Sequence, residues 1–140
     1  MSSQIMNYMR SEEELTAASS SHAGAIMAES LLGTWVNTNA ATRGILRVAL
    51  TASGHETKLR VFANCAPDPC DWGEVKVGVF ASDVNSNEAM AWNAFYDFGF
   101  METHLQSHIR QGVLIIAKFD RFKDDSGRSN YFSKEFFYRV

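Results

Sequence analysis

Residues 44–65 read GILRVALTASGHETKLRVFANC, and the reading of this stretch decides the fold. In its first half Leu46, Val48 and Leu50 fall on one side while Arg47 falls opposite. In its second half Leu59, Val61 and Ala63 alternate with Lys58, Arg60 and Asn64. A period of two with one apolar face marks a half-buried β-strand. The intervening SGHE is built from turn-forming residues, so the stretch is an antiparallel hairpin.

The same pattern extends outward in both directions. Eight β-type runs follow one another: LLGTWVNT, GILRVALTA, TKLRVFANC, EVKVGVFAS, EAMAWNAFYDFGF, METHLQSHIRQ, VLIIAKFDRF and YFSKEFFYRV. The connections NAATR, SGHE, APDPCDWG, DVNSN, RQG and KDDSGRSN are rich in Gly, Asn, Asp, Ser and Pro. None is long enough for the crossover that parallel strands require. A meander, a two-sheet sandwich and a closed barrel all satisfy these facts. Closure removes both exposed edges, which makes an all-β, eight-stranded antiparallel up-and-down β-barrel the expected fold, with a sandwich as runner-up.

The division expected is 1–30 as an N-terminal arm and 31–140 as the barrel. The arm is rich in Ser, Ala, Met and Glu. Ser11 with Glu14 forms a capping-box pattern, so a helix should start there and end in the Ser19–Ser21 run. AGAIMAESLL predicts a second short helical stretch leading into Gly33. The arm could cover one mouth of the barrel or mediate self-association into a homo-oligomer.

Composition excludes several classes of function. Thirteen Lys and Arg are scattered singly in a chain of net charge −3, which gives no basic field for nucleic acid. No apolar run approaches the ~20 residues of a membrane span. The N-terminus lacks the charged start and apolar stretch of a secretory signal, so a soluble, cytoplasmic protein is expected. GxSxG, GxxxxGK and HExxH are all absent, and no cofactor is called for.

Alternation also predicts which side chains line the interior. Met90, Trp92, Ala94, Tyr96 and Phe98 share one face, and Thr103, Leu105, Ser107 and Ile109 share another. His104 and His108 then point to water. They stand about 13 Å apart along a strand, too far to share an ion, so no metal site is expected. The seventh run brings charge inside on either face. We place Leu114, Ile116, Lys118 and Asp120 inward, because the other face would bury two cations and no acid. On the last run Tyr131, Ser133, Glu135 and Phe137 then face in, with Glu135 as the expected partner of Lys118, since unpaired buried charge is expensive. Trp92, Tyr96, Lys118, Asp120, Tyr131 and Glu135 thus form a polar and aromatic half-interior suited to a ligand. Of these, Lys118, Glu135 and Asp120 are the candidate catalytic groups. If this cluster is a site, Lys118→Met should weaken binding and leave the fold at least as stable.

Cys65 and Cys70 lie in FANCAPDPCDWG. They can be reduced thiols or a disulfide pinning a loop; two thiols with no adjacent His do not complete a zinc site. Trp72 in the same loop either plugs a barrel end or offers its ring to a sugar.

Two resemblances add to this reading. Gly33-Thr34-Trp35 is similar to the G-x-W opening of lipocalin-type barrels, and GTWVN to the first strand of avidin-like barrels. The second likeness implies that Asn37, on the face of Trp35, contacts a ligand. Over about 110 residues GTWVN, TRGILR, CxxxxCDWGEV, YDFGFMET and FxDxSGRSNY together resemble an uncharacterised family of small bacterial β-barrel domains, found both alone and at the ends of larger secreted proteins. That family implies a single β-rich domain and paired cysteines, and no activity. The expected function is therefore binding of a small hydrophobic or aromatic molecule within the barrel. The alternatives are a cofactor-independent enzyme of the same shape, a cyclase or isomerase, and a carbohydrate- or protein-binding module using outer aromatics such as Phe132, Phe136 and Tyr138.

Overall fold

The computed structural model describes residues 26–140. Nine antiparallel strands form a nearly closed barrel: β1 Gly33–Asn37, β2 Ile45–Ser53, β3 Glu56–Ala63, β4 Cys70–Lys76, β5 Gly78–Ala81, β6 Ala89–Asp97, β7 Met101–Arg110, β8 Val113–Phe122 and β9 Tyr131–Arg139. Their order is β4-β3-β2-β1-β9-β8-β7-β6-β5. The strand count exceeds the expected eight because the fourth run is divided in two. β4 pairs with β3, and after Val77 the chain leaves that neighbour and continues as β5, which pairs with β6. The two ends of the sheet are thus one continuous piece of chain, and this closes the barrel.

A seam remains where β4 stands beside β6 without ladder bonds, and side chains bridge it. The Tyr96 hydroxyl donates to the Gly73 carbonyl at 2.9 Å. The Trp72 ring meets Tyr96 and Phe98 edge-on, with centroids 5.3 and 5.1 Å apart. The sequence reading placed CDWG in a connection, whereas all four residues belong to β4.

The interior follows the expected alternation closely. Val48, Leu50, Leu59, Val61, Trp92, Leu105, Leu114, Ile116 and Phe137 are all buried. One correction concerns β2. A bulge after Ile45 shifts the pairing, so Ile45 is buried in place of Leu46, since one extra residue reverses the facing of what precedes it.

The two ends of the barrel are built differently. At one end, which we call the closed end, Leu31, Trp35, Leu50, Leu114 and Phe137 are each at most 2% exposed. Trp35 donates from Nε1 to the Leu31 carbonyl at 3.0 Å, and the Arg139 guanidinium lies 4.4 Å over its ring. Residues 26–31 seal this end. Met27 bridges to Glu88, Ser30 Oγ donates to the Ala89 carbonyl at 2.6 Å, and Glu29–Leu31 is a single 3₁₀ turn. The second helical stretch expected over AGAIMAESLL is therefore, in its described part, a bridge and a short turn. The helix expected from Ser11 lies outside the described residues. No helix among the described residues is long and apolar enough to cross a membrane.

Candidate functional site

The opposite end, the mouth, holds a cavity of about 460 Å³. Its position follows from the strand directions: β1, β3, β6 and β8 end here, and β2, β4, β7 and β9 begin here. Lys118, Asp120, Tyr131, Ser133 and Glu135 line it from β8 and β9, facing Trp72 of β4 and the loop residues Thr42, Arg43 and Asn64. Four predicted site residues, Lys118, Asp120, Tyr131 and Glu135, are thus brought to one cavity.

Charge enters this cavity as two separate networks. In the first, the Asp120 carboxylate is fully buried. It accepts from Lys118 Nζ on one oxygen and from Thr103 Oγ1 on the other. Lys118 also donates to the Tyr131 hydroxyl at 3.1 Å. Burial pulls the Lys118 ammonium toward deprotonation. The hydrogen bonds that Lys118 donates to Asp120 and Tyr131, with the Asp120 charge, outweigh it and hold the lysine above its ordinary range.

In the second network Glu135 Oε2 accepts from Asn37 Nδ2 at 2.7 Å and from Thr42 Oγ1 at 2.6 Å. Thr42 Oγ1 in turn accepts from the Gly44 amide, and Asn64 Nδ2 donates to the Thr42 carbonyl. The β1–β2 loop is therefore tied across the mouth by its own polar groups. Glu135 Oε1 has no hydrogen-bond partner among the described residues. It lies where a Cβ on residue 44 would come within 2.8 Å, so Gly44 leaves room for this oxygen.

The expected Lys118–Glu135 ion pair is not formed. Lys118 stands opposite Ser133, and Glu135 opposite Ile116. Glu135 therefore sits two residues deeper, beside Asn37, and Lys118 turns to Asp120 on its own strand. Asn37 is buried and does not line the cavity; it acts there through Glu135.

Trp92 and Tyr96 also stand outside the cavity lining. Tyr96 backs Trp72 and closes the seam, and burial, followed by the charge of Asp71, pushes its phenol well above the usual range. Trp92 lies in the packed core opposite Ser107. The Trp92 Nε1 and Ser107 Oγ atoms are buried with no hydrogen-bond partner among the described residues.

Sequence reasoning gave Thr42 no part, because a threonine in a turn carries no signal of its own. Asn64 was placed outward, yet at the strand end it curls over the mouth. Trp72 is half-buried beneath the loop closed by the Cys65–Cys70 disulfide, whose Cα atoms are 5.4 Å apart. His104 and His108 lie on the outer wall, and no group of described residues is suited to hold a metal.

Compared with known proteins, the chain matches no family model, no curated protein and no solved structure.

Proposed function

We propose that the chain is a small-molecule-binding barrel whose ligand occupies the mouth cavity. The ligand is a compact hydrophobic or aromatic ring laid against Trp72, with a hydrogen-bond donor turned toward Glu135. The observation that carries this reading is Glu135 itself, a cavity-lining carboxylate fixed through one oxygen by Asn37 and Thr42, whose other oxygen has no hydrogen-bond partner among the described residues. A volume of about 460 Å³ lies within the range of small-molecule pockets, which combine apolar walls with a few fixed polar groups.

The electrostatics favour a binder over an enzyme. A general base works best with a proton affinity near neutrality, and Lys118 is shifted the other way, locked as a cation against Asp120. The pair is neutral as a unit, which leaves Glu135 as the free anion within the cavity and Arg43 as an exposed cation at its rim. A ligand carrying an amine therefore fits better than one carrying a carboxylate.

Calorimetric titration of the full chain with phenethylamine and with phenylacetate tests this. The amine should bind more tightly, and Glu135→Gln should weaken it at least tenfold, the scale of one charge-assisted hydrogen bond of ~1.5–3 kcal/mol. Binding of neither probe, or binding of the amine unchanged in Glu135→Gln, would refute the reading. Native mass spectrometry of the purified chain would name a retained ligand directly.

A further inference from the structure

The outer wall of β5–β9 carries a surface that the mouth cavity does not explain. Four ring side chains stand in direct register across four strands: Phe95 opposite His104, His104 opposite Phe119, and Phe119 opposite Phe132. Their centroids are 6.1, 6.3 and 5.1 Å apart. A second row, four residues further along the strands, runs Phe80, Ala91, His108, Ile115, Phe136. Between the rows Asn93, Gln106, Ala117 and Lys134 floor a trough of about 440 Å³. Phe80, Phe95, Phe119, Phe132 and Phe136 are 43 to 55% exposed.

The water-facing side of an antiparallel sheet ordinarily alternates to polar residues. Here the alternation has replaced them with phenylalanine. We propose that this wall is the contact face of a symmetric dimer, its partner a second copy of the same chain.

Three observations select that partner. The first is area. With each aromatic side chain worth 150–250 Å² when fully covered, five rings about half exposed present on the order of 500 Å² of apolar surface. That is near the upper limit for a monomer, whose largest patch is roughly 300–600 Å². With Ile115, His108 and the trough residues it approaches the ~800 Å² that each side contributes to a stable interface.

The second is charge. Across both rows and the trough Lys134 is the only Lys, Arg, Asp or Glu, and interface cores are depleted in charge and enriched in aromatics. The third is shape. The two rows stand about 13 Å apart at ~3.3 Å per residue, so a two-fold axis can seat a row of each copy in the trough of the other. A glycan fits less well. Neighbouring rings are tilted by 50°, 39° and 50° and offer no common plane for successive sugar rings.

Sedimentation equilibrium of the full chain from 1 to 200 µM decides the matter. The wild type should show a monomer–dimer equilibrium with Kd in the micromolar range. Phe119→Lys with Phe132→Lys should weaken it by thirtyfold or more while the far-ultraviolet circular dichroism keeps its β form. Phe100→Lys, at an exposed ring near the mouth, should leave it unchanged. Should the double variant lose its β signal, Phe132→Ser alone, at the most exposed of the five rings, should still weaken the dimer at least fivefold. A wild type that stays monomeric throughout, or a dimer that survives these wall substitutions, overturns the proposal.

Discussion

The closed end and the mouth are made from the same nine strands, yet they solve opposite problems. At the closed end Leu31, Trp35, Leu114 and Phe137 fill the interior, and the one polar atom of Trp35 is answered by a backbone carbonyl. At the mouth the same inward positions hold Lys118, Asp120 and Glu135, each tied to hydroxyl, amide or charged partners. Burial of apolar area rewards the first arrangement directly. The second recovers at best the penalty of removing charge from water. A small barrel that keeps such a network at one end has given up stability there, and the difference places the fold's apolar anchor and its buried polar groups at opposite ends.

The largest test of that contrast is Trp35→Ala. The ring is 2% exposed, and truncating a buried aromatic costs about 3–5 kcal/mol. Urea unfolding should register a loss in that range with the strand content retained at low denaturant. A loss under about 1 kcal/mol would mean that the closed end is not the anchor of the fold.

Lys118→Met comes next, and the structure reverses the expectation drawn from sequence. Because Asp120 is buried, removing Lys118 strands a carboxylate rather than relieving a charge. Breaking such a pair costs up to ~3–5 kcal/mol; beside an open mouth about 2–3 kcal/mol is expected. Lys118→Met combined with Asp120→Leu should recover most of it, and a double variant no more stable than the single would show that the pair was never coupled. The pH profile gives a second reading of the same bond. The folded-state lysine is held above its ordinary 10.5, so its stabilisation is complete below that value and fades as pH rises through the shifted one. Alkaline titration should therefore lower wild-type stability more than that of the double variant.

The comparison also separates what was legible in the sequence from what was not. The barrel and most inward faces could be read because strand alternation is periodic and local. On β8 alternation left two faces open, and the cost of burying two cations without an acid is what puts Lys118 and Asp120 inward, where both are buried. What failed depended on register between strands. The bulge at Ile45 and the offset that separates Lys118 from Glu135 are set by pairing, and a run of residues does not display its partner's phase. The mouth polar groups Thr42 and Asn64 come from a loop and a strand end, where no periodicity exists to reveal direction. Trp92 shows a third limit. It lies inside as alternation requires, but alternation gives the face of a side chain and not which part of the interior it meets. The cavity lies against β8 and β9, and Trp92 stands on β6 in the packed core.

The smallest effect lies at the boundary between the two ends. One rung of the barrel runs Trp92, Ser107, Ile116, Glu135 across four strands. Glu135 belongs to the mouth network, whereas Trp92 and Ser107 are almost fully buried with their polar atoms unpartnered among the described residues. A buried hydroxyl without a partner is a liability of roughly 1–3 kcal/mol relative to one that is bonded, and replacing it by an apolar group of similar size is nearly neutral or stabilising. Ser107→Ala should therefore leave the unfolding free energy unchanged or raise it by up to about 1 kcal/mol. Trp92→Phe is the poorer probe, because it removes ring area together with the N–H. If Ser107→Ala instead destabilises by about 1 kcal/mol or more, its hydroxyl is engaged in the folded protein, and the polar region extends from Glu135 across the whole rung. The dry part of the barrel would then begin one layer lower, at Leu114 and Phe137, and a ligand in the mouth would have Ser107 as well as Glu135 within its reach.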